Sequence, residues 1–160
     1  MADLLVNLCA LPQSAPVIEK LKAAGVVIKR AIGPEKHVVV EWAEKNFSRA
    51  WASECDAALS VQPATCFLAV KDKKIVGFAC YDSTSKGFFG PIGVDEKLRT
   101  GGVGKALLIR TLEAMREAGY GYGIVGWAGP VDFFKKAVGA VVIEGSEPGV
   151  YKDMVKAQPR

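Results

Sequence analysis

The sequence holds one histidine, His37, and no pair of cysteines at zinc-gripping spacing. Cys9, Cys55, Cys66 and Cys80 stand apart from one another and from His37, which excludes a zinc finger or ribbon. They read instead as buried thiols of a reducing compartment. A lone histidine with no placed nucleophile argues against Ser–His–Asp or Cys–His catalysis, and His37 reads as a surface or helix-terminal residue. Long apolar runs are missing too: nothing approaches the ~18 residues of a membrane span. Met1-Ala2-Asp3 lacks the basic start of a signal peptide, so the expected location is the cytoplasm, with no membrane partner. Charge of one sign is scarce. Lys and Arg number 21 and Asp and Glu 17, a net +4, far from the basic face of a nucleic-acid binder but compatible with a small anionic ligand.

What is present suits one folded domain over residues 1–160, with residues 1–24 its least determined part. Hydrophobic residues make up 50% and charged residues 24%, and a chain of this length buries roughly 70% of its unfolded surface without staples. Glycine is the excess, 17 residues, about 11% against a usual ~7%. All but Gly25 and Gly33 fall from Gly77 onward, among Phe, Ile, Val and Trp. There they mark turns, bulges or backbone that something must approach closely.

The patterning alternates between strands and helices. Pro16–Ala24 reads as a short helix stopped by Gly25, and Val26–Ile32 as a strand. Helical patterns cover Glu35–Phe47 and Arg49–Leu59. Cys66–Val70 and Ile75–Tyr81 make a hairpin around Lys71-Asp72-Lys73-Lys74, and Phe88–Val94 is a further apolar strand. Gly102–Ala118 is the clearest helix, with Leu108, Leu112 and Met115 on one face. Tyr122–Trp127, Ala140–Ile143 and Tyr151–Val155 read as strands, and Val131–Val138 as a helix. The expected fold is α+β: a central, mostly antiparallel sheet, one parallel pair where the Gly102–Ala118 helix crosses over, and flanking helices.

The segment between the Phe88–Val94 strand and that helix carries the chemistry. Arg99, Thr100, Gly101, Gly102, Val103, Gly104 and Lys105 lead into the helix N-terminus. The first turn of a helix leaves N–H groups unpaired and carries about half a positive charge. Bare glycines let an anion reach those donors, and Arg99 and Lys105 add cations, so a phosphate or pyrophosphate is the natural guest. A P-loop fails because Arg99 stands where its first glycine belongs and Ala106 follows Lys105. A dinucleotide fingerprint fails at Leu107. The fitting pattern is Arg-x-x-Gly-x-Gly, filled by Arg99, Gly102 and Gly104.

In this context the sequence resembles the GNAT superfamily of acyl-CoA-dependent N-acyltransferases, over roughly Val26 to Val155. Phe133-Phe134-Lys135-Lys136, followed by Gly139 and a strand, is similar to the family's Phe-Tyr-x-Lys helix. The resemblance implies an N-acetyltransferase in which an amine attacks the thioester of acetyl-CoA, or another acyl-CoA, without a metal. It implies that Ile92, Gly93 and Val94 pair with the pantetheine arm and that Arg99 to Lys105 wrap the pyrophosphate. The family's usual acid is the Tyr of that helix, where this chain has Phe134, and the strand Phe88–Val94 lacks a glutamate base. Tyr151, Tyr122 and Asp82 are the remaining candidates for proton transfer, each with a plainer reading as packing or, for Asp82, as a turn residue. Trp42 and Trp51 are candidates to line an acceptor cleft or simply to pack. A non-catalytic acyl-CoA sensor is the alternative function, and an interaction protein with an empty site a third. Edge strands admit a homodimer.

Overall fold

A computed structural model describes residues 1–159. Seven strands form one sheet: β1 (Leu4–Asn7), β2 (Val26–Arg30), β3 (Cys66–Lys71), β4 (Lys74–Tyr81), β5 (Phe88–Val94), β6 (Tyr122–Val125) and β7 (Val141–Val142). Their spatial order is β2-β3-β4-β5-β6-β1-β7, antiparallel throughout except for the parallel β5–β6 pair. Five α-helices surround it: α1 (Ala15–Ala23), α2 (Lys36–Asn46), α3 (Arg49–Leu59), α4 (Val103–Glu117) and α5 (Val131–Val138). None is long and apolar enough to cross a membrane.

The middle strands read as unbroken apolar runs because helices cover both faces. In β3, Phe67 and Ala69 pack into the core beneath α4, while Cys66 and Leu68 pack beneath α2 and α3. The crossover helix α4 buries more than the expected stripe. Leu108, Leu112 and Met115 are fully buried, and so are Ala106 and Leu107, because α1 and α5 flank the helix as it lies on the sheet. On the other face, Cys55 of α3 meets the cross-strand neighbours Cys66 and Cys80, and these thiols together with burial push the Cys80 thiol well up. Cys9 departs from expectation: it is exposed.

Both chain ends differ from the sequence reading, for one shared reason. Residues 4–7, which carry no strand signal longer than Leu4-Leu5-Val6, form β1 in the interior of the sheet, and Leu4 and Val6 are completely buried. That strand occupies the position beside β6. The expected strand Tyr151–Val155 therefore has no place there, and Gly149–Tyr151 is a 3-10 turn followed by irregular chain. The expected strand 122–127 ends at Val125, where β6 parts from β5.

Candidate active site

The site begins where β5 and β6 separate. The two strands share only the pairs Phe88–Ile124 and Phe89–Val125. Gly90 to Val94 then run on with no partner on the β6 side. A bulge against β4, between the pairs Ala79–Ile92 and Tyr81–Phe89, starts this divergence. The Asp95 N–H donates to the Val76 carbonyl of β4. Backbone groups alternate sides along a strand, so Gly93 also faces β4, while Ile92 and Val94 turn theirs toward the gap.

This corrects part of the sequence expectation for Ile92, Gly93 and Val94. Gly93 is opposite Phe78 in the ladder and has no free backbone edge on the gap side. Its missing side chain serves another purpose: a Cβ there would lie 2.6 Å from the Phe47 ring and 2.9 Å from Phe78. Phe47 lies on the strand at that point, stacked on Trp51 at 4.9 Å and edge-on to Trp42 at 5.6 Å. The Val94 carbonyl already accepts a hydrogen bond from Arg99 Nε at 3.3 Å. Ile92 keeps its gap-facing groups.

At the mouth of the gap stands the N-terminus of α4. Gly102 caps it at φ 88°, a left-handed conformation that side chains disfavour. The first helical bond runs from the Ala106 N–H to the Gly102 carbonyl. The amides of Gly102, Val103, Gly104 and Lys105 have no hydrogen-bond partner among the described residues. Thr100, Gly101, Arg99 and Lys105 are exposed, and Val103 is buried beneath. A Cβ on Gly104 would rest at ordinary contact distance, 3.6 Å from Phe133 and 3.7 Å from Val94. Neither packing nor backbone conformation therefore demands glycine at position 104. The donor set fits a diphosphate: four free amides on a positive helix end with two cations beside them.

The gap opens into a cavity of about 730 Å³, within the range of small-molecule sites. Trp51 and Glu54 of α3 line one side, Thr84 another, and Trp127 and Tyr151 the far wall. Thr84 donates a hydrogen bond to Glu54 Oε1. Burial pushes the Glu54 carboxyl above the usual carboxylate range, with the Thr84 bond working the other way. The Tyr151 phenol is pushed up to about 12, first by burial and then by the charges of Glu54 and Asp3, with the Thr84 hydroxyl pulling weakly the other way. Its ring stacks on Trp127 at 4.2 Å, and its hydroxyl occupies the space a Cβ on Gly126 would need. Asp3 of β1 supports this wall by accepting from the Trp127 N–H at 3.0 Å.

Of the proposed proton-transfer residues, only Tyr151 reaches the cavity. Tyr122 is 60% exposed on β6, opposite Asn7 and outside the cavity lining. Asp82 is spent on its own loop, accepting from the Gly87 N–H at 2.8 Å and from the Tyr120 hydroxyl at 2.9 Å. Phe134 lies at the cavity edge, buried edge-on against Phe89 and Phe133. His37 is exposed at the start of α2, and Trp42 packs with Phe47 and Phe78 away from the cavity. Glu54 was missed. The available signal was Trp51, which already pointed to the cleft and shares a helix face with the residue three positions on.

A splayed parallel pair, a glycine-rich helix start at its mouth and a largely apolar cavity holding the Glu54 carboxyl make up the site. The chain belongs to the acetyltransferase (GNAT) family, whose pattern it matches over residues 36–139, well over half its length. Among solved structures, the fold is similar to a GCN5-related N-acetyltransferase from Sphaerobacter thermophilus, with TM-score 0.67 and 20% identity over 89% of this chain and 48% of that one. It is also similar to the GCN5-related glucosamine N-acetyltransferase region of a fungal multi-domain β-N-acetylglucosaminidase, with TM-score 0.72 and 13% identity over 89% of this chain and 19% of that one. The chain thus spans less than half the length of either. No curated protein matches the sequence.

Proposed function

We propose that this protein transfers an acetyl group from acetyl-CoA to a primary amine by direct attack of the amine on the thioester. The observation that carries the reading is the continuity of the site. Four unpartnered amides at the α4 N-terminus lead along the open edge of β5 into a cavity that holds a carboxyl and a phenol. Gly102, Val103, Gly104 and Lys105 would hold the pyrophosphate and Ile92 the pantetheine arm. Acetyl-CoA supplies an activated acyl carbon on a thiol leaving group.

The remaining work falls to Glu54 and Tyr151. An amine of pKa ~10.4 is only about one part in 2,500 neutral at pH 7, which costs roughly 4–5 kcal/mol to overcome. Glu54, half-buried and bonded to Thr84, takes that proton directly or through a water and so supplies the free amine. Tyr151, its phenol pushed up to about 12, stays protonated during the reaction and hydrogen-bonds the departing sulfur, which takes up the proton shed by the attacking nitrogen. That assigns to the C-terminal turn the role that Phe134, without a hydroxyl, leaves vacant on α5.

The test is calorimetry with acetyl-CoA and with free CoA, followed by thiol release over a panel of amines. Binding with turnover supports the proposal, and no binding at high micromolar concentration sinks it. Phe134 favours one second reading, an acyl-CoA sensor that binds without chemistry. It predicts tight binding and no thiol release on any amine.

A further inference from the structure

We propose that the acceptor is a small monocationic amine on an aromatic or alkyl body, carrying no carboxylate or phosphate. This deepens the acetyl-transfer reading and rests on it. Among the described residues, Glu54 and Tyr151 are the only ionisable side chains lining the cavity, and the terminal amine of Met1 at its edge is bonded to Glu147. None of the described Lys, Arg or His side chains lines it, so an acidic group on the acceptor would be buried opposite Glu54 without a countercharge from them. Like charges brought together in a desolvated site are strongly disfavoured.

The rest of the lining favours an apolar body. Trp51, Phe89, Trp127, Phe134 and Tyr151 present aromatic surface, and the Trp127–Tyr151 stack lies 18° from parallel. Trp127 stays 42% exposed, held in place by its backbone bond to Asp3 rather than by being buried. An ammonium near Glu54 would lie among these rings, where cation–π attraction adds to the ion pair. A polycation would bury a second charge with no second carboxylate among the described lining residues to offset its desolvation.

The experiment compares phenethylamine, phenylalanine and spermidine as acceptors by thiol release from acetyl-CoA, with acetyl-CoA binding measured separately by calorimetry. Phenethylamine is expected to exceed phenylalanine in kcat/KM by about 100-fold or more, the penalty of one buried like-charge contact. Trp127→Leu is expected to raise the phenethylamine KM about tenfold. Phenylalanine or spermidine matching phenethylamine overturns the inference. So does turnover of none of the three by a chain that binds acetyl-CoA, and in both cases acetyl-CoA binding itself stands. Absence of acetyl-CoA binding removes both together.

Discussion

Gly104→Ala separates what the fold needs from what a ligand needs. A methyl group at this position would meet Phe133 at 3.6 Å and Val94 at 3.7 Å, contacts that require no movement. Position 104 lies in the first turn of α4, where replacing glycine with alanine stabilises a helix by about 0.5–1 kcal/mol. For a domain of this size that raises Tm by about 1–4 °C. The same methyl projects between Val94 and Phe133, beside the free amides. Losing one charge-assisted hydrogen bond to phosphate costs about 1.5–3 kcal/mol, or about 10- to 150-fold in CoA affinity. The variant should therefore melt higher and bind CoA more weakly, read by thermal unfolding and calorimetry on the same preparation. Gly121→Ala is the control: it has nothing within 4 Å, lies away from the mouth and should leave CoA binding unchanged. A Gly104→Ala protein that binds CoA as tightly as the parent refutes the phosphate cradle.

Glu54→Gln should lower kcat/KM at pH 7 by about 10²–10³-fold. In the parent, activity should fall as pH drops through the raised Glu54 pKa, because the base must be ionised, and the variant should lose that limb. Since folding holds this proton to higher pH than the unfolded chain does, ionised Glu54 costs stability above its folded pKa, so the Gln variant should melt no lower than the parent there. Tyr151→Phe should reduce kcat about 10- to 100-fold with little change in KM, and an absorbance titration of the variant should lose one phenol that ionises above the ordinary tyrosine range. Gly93→Ala should press a methyl into Phe47 and Phe78, rings already locked by Trp42 and Trp51. Overpacking of this kind costs ~1–3 kcal/mol, so thermal unfolding should come roughly 2–10 °C lower.

The parts legible in the sequence are those fixed by local pattern. The β3–β4 hairpin announced itself through two apolar runs around charged residues, and α4 through its periodicity and the glycines before it. The glycine-rich helix start with its free amides was legible for the same reason, since helix-end chemistry is local. What escaped depends on contacts distant in sequence. Leu4–Asn7 is too short to signal a strand and becomes one only by pairing with residues 122–125. Tyr151–Val155 had a strand's composition, but its place beside β6 was taken. On α3, Ser53, Glu54 and Asp56 look alike as polar positions. Only the packing of Ala52, Cys55 and Ala58 on the sheet turns Ser53 and Glu54 toward the cavity while Asp56 faces Lys36 outside it.

The interior position of β1 also constrains how the molecule comes together. During synthesis residues 4–7 emerge well before their hydrogen-bonding partners, which lie more than a hundred positions downstream. Until β6 is made, Leu4 and Val6 must wait exposed, and closing so large a loop delays assembly. The Trp127–Tyr151 wall, tethered through Asp3, is therefore among the last features to lock. Agents that capture nascent apolar segments should find Leu4 and Val6 of β1 available until then.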